Sequence, residues 1–521
     1  MNKEKLSQYL FFLILYFISI ILFYLSKNNF FPVAHGPFYF SFAESLYNGL
    51  GLYSYWTIPQ DEGLVYTFQM GVSFIMYLSL LVFKKTAWFY IFYLFSTVLW
   101  FLAFKQIKFF LKKINFKSPE IYLFFILVFF QPYNLNQIAT FSNEVIYYPV
   151  LIFSFFLLIN YFDDNSFKIK NYESIILILT FVFGIFFRFH HVVFLSTVGI
   201  YIVFFKRDLI LKYILISSIS LILFIFIIFN TTLINSLAMA QSIFTTSLDN
   251  FNFLNIFENL NNTKKDLNIG MGYVKDNDYL FVTLVRLTDI FTYPILLQKF
   301  SSSILIKFFM AMIFLFLNIG GLIILKNKAK NFYYLSIIFT ILSLVFLIFL
   351  PFFELSYVLP LGFIFILNIL IFLKTILKDY YLKILIPIFV TFILVIVFAY
   401  TGFYKNKIIE VYGNRQLTED VKNFYKEYPF KENLYYATSD VYYTYELHYW
   451  HGGSRICLVS ISIEECQKLR GIKKFKNVIF LFNKDTLVLE DQIYQNFLEE
   501  NKFEINNEIN KRFISFYIKR N

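Results

Sequence analysis

The chain has 521 residues, of which 58% are hydrophobic and 23% aromatic, and its formal net charge is +12. An ordinary globular domain is about 45–50% apolar, so this composition excludes a soluble protein and predicts a polytopic membrane protein. The positive charge does not indicate a nucleic-acid partner, because the lysines lie in short clusters between apolar segments, as they do in cytoplasmic loops of membrane proteins.

The first apolar segment, 8–25, follows Lys3 and Lys5, and no small-residue cleavage site comes after it. A secretory signal peptide would be shorter in its apolar part and would end at such a site. The segment therefore predicts a retained signal-anchor helix.

A short helix is predicted over 35–51, at the membrane surface directly after this anchor, because a proline stands near its start and two glycines near its end. His35 lies on one face of this helix, and Glu44 lies beside that face. Either group accepts a proton from a hydroxyl, so both are candidate bases. A capping histidine and a solvated glutamate are the plain structural alternative. Asp61 and Glu62 are rival carboxylates in the following loop, where a solvated turn is the alternative.

Eleven transmembrane helices are predicted where apolar segments approach the roughly 20 residues that a span needs. The segment 66–83 is long enough to span, but a position along the membrane surface puts every later lysine cluster on the cytoplasmic side, with only Lys84 and Lys85 outside. We therefore predict that 66–83 is an interfacial helix and that the N-terminus is cytoplasmic. The predicted spans are 8–25, 86–104, 120–138, 145–162, 173–187, 192–205, 213–230, 303–325, 332–351, 355–373 and 383–400.

This topology brings most of the unusual polar residues to one outer side of the membrane. The loop 231–302 is rich in Asn, Thr and Asp and is too long to be a simple connection. The convergence on one side is the main functional signal in the sequence. The outer regions are 26–85, 139–144, 188–191, 231–302 and 401–521.

The tail 401–521 alternates strand-like and helix-like segments, which predicts a small α/β domain with a partly parallel sheet. The chain then divides into a transmembrane domain, 1–400, and an extracytoplasmic domain, 401–521. Cys457 and Cys466 fall in this tail, where a disulfide and two free thiols are both open. Strands are predicted over 434–437, 456–459, 478–482 and 513–518, and a helix over 487–501.

Ionisable residues at the outer ends of spans are the next candidates. Glu144 stands where an ionisable group is costly and is by default functional. The alternative is a helix start capped by Ser142 or Asn143, where the helix dipole favours a carboxylate. Arg188 lies at the junction of two short helices and suits phosphate as a charge-assisted donor. His191, at the same junction, suits phosphate, a metal or the lipid headgroups.

In order and topology, most of the first 400 residues resemble the GT-C superfamily of membrane glycosyltransferases, which includes the bacterial aminoarabinose transferases and the protein O-mannosyltransferases. The resemblance rests on the first outer loop, the surface helix after it and two short motifs. Glu144 follows Ser142 where the family commonly has Ser-Glu, and Arg188–His191 stands where it commonly has Arg-Pro-Glu-Gly. His35 occupies the position of the family's catalytic aspartate, so His35 or a nearby carboxylate is the base, or the activity is altered or lost.

The resemblance implies an inverting transferase that moves a sugar from a polyprenyl-phosphate-linked donor to an extracytoplasmic glycan, lipid or protein acceptor. It implies a multi-pass protein of the bacterial inner membrane, without a certain cofactor and with the need for a divalent metal left open. An O-antigen-type polymerase or ligase, and a transporter or flippase, are the alternatives. The catalytic candidates are His35, Glu44, Glu62 and Glu144, and the candidates for the donor phosphate are Arg188, His191, Lys84 and Lys85.

Overall fold

The structure, a computed structural model, describes most of the predicted helical region and five strands of the C-terminal tail. The described residues are 3–29, 39–40, 43, 46–47, 70–139, 141–163, 180, 184–185, 187–188, 191–231, 287–288, 290–292, 304–349, 358–387, 434–438, 456–458, 477–483, 504–510 and 513–519.

The described part of the chain is mostly helical. Within it, six helices are long and apolar enough to cross a membrane, or seven if one bent pair counts as a single span, so the protein is a multi-pass membrane protein. Most of 173–187 and of 383–400 lies outside the described residues, so the total of eleven spans stays a prediction. The helices are α1 (Lys3–Asn29), α2 (Met70–Lys113), α3 (Ser118–Phe129), α4 (Pro132–Ala139), α5 (Glu144–Asp163), α6 (His191–Phe205), α7 (Ile210–Thr231), α8 (Ile304–Lys328), α9 (Lys330–Phe349) and α10 (Leu359–Leu377).

Helices α1 and α2 run antiparallel. At one end Lys108 Nζ lies 2.5 Å from Glu4 Oε1, and at the other the ring of Phe23 stacks on Phe89 at 4.8 Å. The C-terminal part of α1 therefore lies beside the part of α2 around Phe89, and the N-terminal part of α1 lies beside the C-terminal part of α2. If 66–83 crossed the membrane, the part of α2 after it would run parallel to α1. The antiparallel contacts therefore support the prediction that 66–83 does not span.

Helix α2 also corrects the prediction. The sequence predicts an interfacial helix, 66–83, separate from a span, 86–104, whereas the structure has one helix of 44 residues. No proline or glycine follows Gly71 to interrupt it. Its length is about 66 Å at 1.5 Å per residue, roughly twice the hydrocarbon thickness of a bilayer. That length is enough for a membrane crossing by 86–104 and for the helical residues before it.

The predicted span 120–138 is broken. Helices α3 and α4 meet at an angle of 61°. Pro132, at the start of α4, has no backbone N–H and cannot continue α3. The side chain of Asn134 donates to the carbonyl of Phe129 at 2.7 Å, which satisfies a backbone acceptor at the end of α3.

Helix α5 is buried along nearly its whole length and packs against α2, α4, α9 and α10. Pro149 lies inside α5 and leaves the carbonyl of Val145 without its helical donor. The hydroxyl of Ser96, on α2, donates to that carbonyl at 2.8 Å. This bond joins α2 to α5 where the backbone of α5 needs a partner.

A layer of phenylalanine rings surrounds the middle of α5. The ring of Phe155 lies 6.1, 6.0 and 5.1 Å from the rings of Phe194, Phe339 and Phe363, on α6, α9 and α10. All four side chains are buried. We call this set the Phe155 layer.

Polar contacts join the helices at the end opposite to Glu144. Lys374, at the end of α10, lies 2.7 Å from Glu120 at the start of α3. Asn331, at the start of α9, donates to Asp163, at the end of α5, at 2.6 Å. We call this end the basic end, because the lysine clusters of the described loops share it, as the sequence predicted. The cytoplasmic assignment of this end rests on the positive-inside rule.

The tail contains a mixed five-stranded sheet in the order β2-β1-β3-β5-β4. Strand β1 pairs in parallel with β2 and β3, whereas β5 pairs antiparallel with β3 and β4. Four strands fall on predicted stretches, but β4 was missed, because EINNEIN is polar and directly follows a predicted helix. The extracytoplasmic domain itself stays a prediction, and whether Cys457 and Cys466 form a disulfide stays open. The strands are β1 (Leu434–Thr438), β2 (Ile456–Leu458), β3 (Asn477–Asn483), β4 (Glu504–Asn510) and β5 (Phe513–Lys519).

Candidate active site

Glu144 and Arg188 form a buried ion pair at the end of the bundle opposite to the basic end. Arg188 Nη1 contacts Glu144 Oε1, and the two side chains are only 4% and 3% exposed. The hydroxyl of Ser142 donates to the other carboxylate oxygen at 2.6 Å. Both oxygens of Glu144 therefore have donors. We call this end of the bundle the Glu144 end.

The turn between α4 and α5 supplies the polar groups around this pair. Phe141 takes a left-handed conformation, with φ of 42°, which turns the chain from α4 into α5. Asn143 occupies the N-cap position by its backbone, since its carbonyl accepts from the N–H of Tyr147 at 2.9 Å. Its side chain instead accepts from Arg188 Nη1 at 3.2 Å and donates to the carbonyl of Phe187 at 3.4 Å. Asn143 is therefore the N-cap of α5 by its backbone, whereas its side chain contacts Arg188.

Arg188 and His191 belong to the turn that leads into α6. The N–H of Arg188 donates to the carbonyl of Gly184 at 2.9 Å, and the N–H of His191 donates to the carbonyl of Arg188 at 3.0 Å. The imidazole of His191 lies against Gly184, where a Cβ atom would stand 2.2–2.3 Å from three ring atoms. Only glycine at position 184 leaves room for this ring.

His191 meets Tyr147 one turn along α5 from Glu144. Their ring centroids lie 5.9 Å apart at an interplanar angle of 80°. Tyr147 is 1% exposed and His191 is fully buried. Tyr147 was not among the predicted site residues, and its one signal in the sequence is its position three residues after Glu144, on the same helical face.

The predicted surface helix also meets the Glu144 end. Tyr39, Phe40, Ala43, Leu46 and Tyr47, the described members of 35–51, are all helical. The ring of Phe40 lies 4.9 Å from that of Trp88, whose ring in turn lies 5.6 Å from that of Phe141. The helix predicted to carry the base therefore packs beside the turn that begins α5.

Several predicted site residues lie outside this description. His35, Glu44 and Glu62 fall outside the described residues, while Lys84 and Lys85 are part of α2 with side chains that are not described. Among the described candidates, the structure brings Glu144, Arg188 and His191 together. The roles of all eight residues stay predictions.

Comparison with known proteins gives a match in structure only. No family model and no curated protein matches the chain. The structure of ArnT from Cupriavidus metallidurans in the apo state matches with a TM-score of 0.52 and 8% identity, over 96% of this chain and 97% of that chain. The chain has a GT-C fold.

Two further structures extend this comparison. ArnT from Cupriavidus metallidurans bound to undecaprenyl phosphate matches with a TM-score of 0.52 and 8% identity, over 97% of both chains. The archaeal oligosaccharyltransferase AglB from Archaeoglobus fulgidus, in complex with an inhibitory peptide and a dolichol-phosphate, matches with a TM-score of 0.48 and 11% identity, over 93% of this chain and 70% of that chain. The ArnT matches span nearly the whole chain, so the GT-C resemblance predicted from the sequence is confirmed for the fold.

Proposed function

We propose that this protein is an integral membrane glycosyltransferase that transfers a sugar from a polyprenyl-phosphate-linked donor to an extracytoplasmic glycan, lipid or protein acceptor, with inversion. The observation that carries the proposal is Arg188, a buried guanidinium at one end of a bundle with a GT-C fold. Undecaprenyl phosphate bound to ArnT, a protein of the same fold, supports a lipid phosphate as the ligand.

The leaving group of such a reaction is a phosphate, and its developing negative charge is what the site must stabilise. A guanidinium suits this task, because it is planar, permanently charged and able to donate two parallel hydrogen bonds to phosphate oxygens. We assign this role to Arg188, with His191, Lys84 and Lys85 as further donors. Glu144 holds Arg188 in place until the phosphate arrives. Its carboxylate is itself fixed, because one oxygen accepts from Arg188 and the other from Ser142.

The acceptor hydroxyl must lose a proton as it attacks the sugar. We assign the base to His35 or Glu44, with Glu62 as the rival carboxylate. The acceptor oxygen forms a bond to the anomeric carbon while the bond from that carbon to the phosphate oxygen breaks, and attack from the opposite face inverts the centre. The contact between Phe40 and Trp88 supports this assignment, because it packs the predicted surface helix at the Glu144 end.

The first test is turnover of lipid-linked donors by Arg188 variants. Purified protein in lipid nanodiscs, given a panel of polyprenyl-phosphate sugars and cell-envelope extract as acceptor, is expected to consume at least one donor and release polyprenyl phosphate. Arg188→Gln should reduce the rate by a hundredfold or more, about 3 kcal/mol, since charge stabilisation of the leaving group is a large share of catalysis. Arg207→Gln is the matched control, an arginine on the 3₁₀ turn at the opposite end of α6.

A loss of folding must be separated from a loss of chemistry. Removing one member of a buried ion pair costs about 3–5 kcal/mol, because the other charge stays buried without compensation. The double variant Glu144→Gln/Arg188→Gln removes both charges and should recover thermal stability without recovering turnover. Full activity in either variant would contradict the role of Arg188. Movement of the lipid across vesicles without sugar transfer would favour the transporter alternative.

A further inference from the structure

We propose that Tyr147 and His191 form the inner part of a phosphate-binding site whose charged ligand is Arg188. The inference rests on the proposed function and deepens it, because it adds Tyr147 to the groups that hold the donor and gives His191 a partner. The ligand is a phosphate group, supplied by a lipid headgroup or by free phosphate.

The polar side chains at the Glu144 end lie in two layers. Tyr147 follows Glu144 by three residues on α5, and His191 follows Arg188 by three residues through the turn into α6. Residues three apart on a helix share a face. The ion pair therefore forms the outer layer, and the Tyr147–His191 pair lies one turn deeper.

The inner layer holds buried polar atoms that lack a partner. Across the described part of the chain, no hydrogen-bond partner exists for the hydroxyl of Tyr147 or for either ring nitrogen of His191. Buried polar atoms are hydrogen-bonded in more than about nine cases out of ten, so each exception requires an explanation. Two of these atoms, the Tyr147 hydroxyl and one ring nitrogen of His191, are donors on neighbouring rings one turn from an ion pair, and they point to a ligand that accepts from both.

The chemistry of these groups selects an anion rich in acceptor oxygens. Tyr147 offers an O–H donor, a neutral imidazole offers one N–H donor, and Arg188 offers a charged pair of donors. A phosphate has enough oxygens to accept from all three residues at once. The neighbours on the other side are apolar, with the ring of Phe194 at 5.1 Å from His191, so water competes little for these donors.

The decisive comparison uses two adjacent tyrosines of α5. Tyr147 and Tyr148 are both buried, but the hydroxyl of Tyr148 donates to Gln131 Oε1 at 2.9 Å. Tyr147→Phe removes only an unpartnered oxygen, so the ligand-free protein should be as stable as wild type or more stable. Tyr148→Phe removes a made hydrogen bond and should lower the melting temperature.

Ligand binding should show the opposite pattern. Native mass spectrometry of the full-length protein, titrated with undecaprenyl phosphate, is expected to give an affinity about tenfold or more weaker for Tyr147→Phe, the effect of one hydrogen bond to a charged group. His191→Leu should weaken binding by a similar factor. Tyr148→Phe should bind as tightly as wild type.

The outcomes separate this inference from the proposed function. Unchanged affinity in Tyr147→Phe would overturn the inference even if donor turnover is found. Weakened affinity in Tyr147→Phe supports it even if no sugar is transferred, in which case the proposed function fails alone. Absence of lipid-phosphate binding by wild-type protein would overturn the proposed function, and absence of inorganic-phosphate binding as well would overturn both. Competition by inorganic phosphate would show that free phosphate suffices, whereas its failure to compete would assign the site to a lipid headgroup.

Discussion

At the scale of single residues, the ion pair shows what the sequence reveals and what it conceals. Glu144 and Arg188 were both predicted as site residues, because each stands at the end of an apolar span. The sequence assigned them separate roles, one catalytic and one for the donor phosphate, since nothing in a linear pattern pairs residues so far apart. The structure joins them directly. Tyr147 was missed because one tyrosine among 40 carries no signal of its own.

This pairing makes a prediction about Glu144. A phosphate that binds Arg188 must compete with the carboxylate that already holds it. Glu144→Gln is therefore expected to tighten the binding of undecaprenyl phosphate, by about tenfold if roughly 1.4 kcal/mol of the pairing free energy is released. The same variant should melt at a lower temperature than wild type. Weaker lipid binding in Glu144→Gln would show instead that the carboxylate itself supports the ligand.

At the scale of helices, two prolines in similar apolar surroundings behave differently. Pro132 begins α4 where the predicted span 120–138 bends, whereas Pro149 lies inside α5 without breaking it. The difference is a side chain from another helix, since Ser96 supplies the hydrogen bond that Pro149 removes from Val145. Both segments, 120–138 and 145–162, were predicted as uninterrupted spans, so the break at Pro132 was not predicted. Rescue by a distant serine is visible only in the fold.

Ser96 is accordingly expected to stabilise α5. Ser96→Ala leaves the buried carbonyl of Val145 without a donor and should cost about 1–3 kcal/mol of unfolding free energy. Ser154→Ala is the matched control, because Ser154 donates to the carbonyl of Val150, which keeps its ordinary helical donor. Thermal unfolding of both variants in one detergent measures the difference. Equal melting temperatures would mean that another group satisfies Val145.

At the scale of the whole molecule, the sequence predicted the fold at the level of topology. The order of spans, the lysine clusters and the outer-loop motifs led to the GT-C resemblance, and a solved structure at 8% identity confirms that resemblance for the fold alone. The continuity of α2, the break at Pro132 and the strand β4 escaped prediction. The first two depend on local backbone hydrogen bonding that hydropathy does not record, and β4 is a polar strand that pairs with a neighbour.

The two ends of the bundle can be assigned to sides of the membrane by labelling. Single cysteines at Glu62, Lys112 and Lys328 are placed in a background with Cys457→Ser and Cys466→Ser. A membrane-impermeant maleimide added to intact cells should label position 62 and spare 112 and 328, since positive charge favours the cytoplasmic side. Permeabilised cells provide the control for reactivity. Labelling at 112 without labelling at 62 would place the basic end outside. Labelling at all three positions would contradict the prediction that the two ends lie on opposite sides of the membrane.

The Phe155 layer has a consequence for the cell that makes this protein. It lies between the ion pair at one end and the polar contacts of the other, and its four buried rings pack together where α5, α6, α9 and α10 meet. An ion or a proton crossing there would have to leave all its hydrogen-bonding partners, at a cost of several kcal/mol. We therefore expect the layer to resist the passage of ions, so that expression of the protein leaves the membrane potential unchanged.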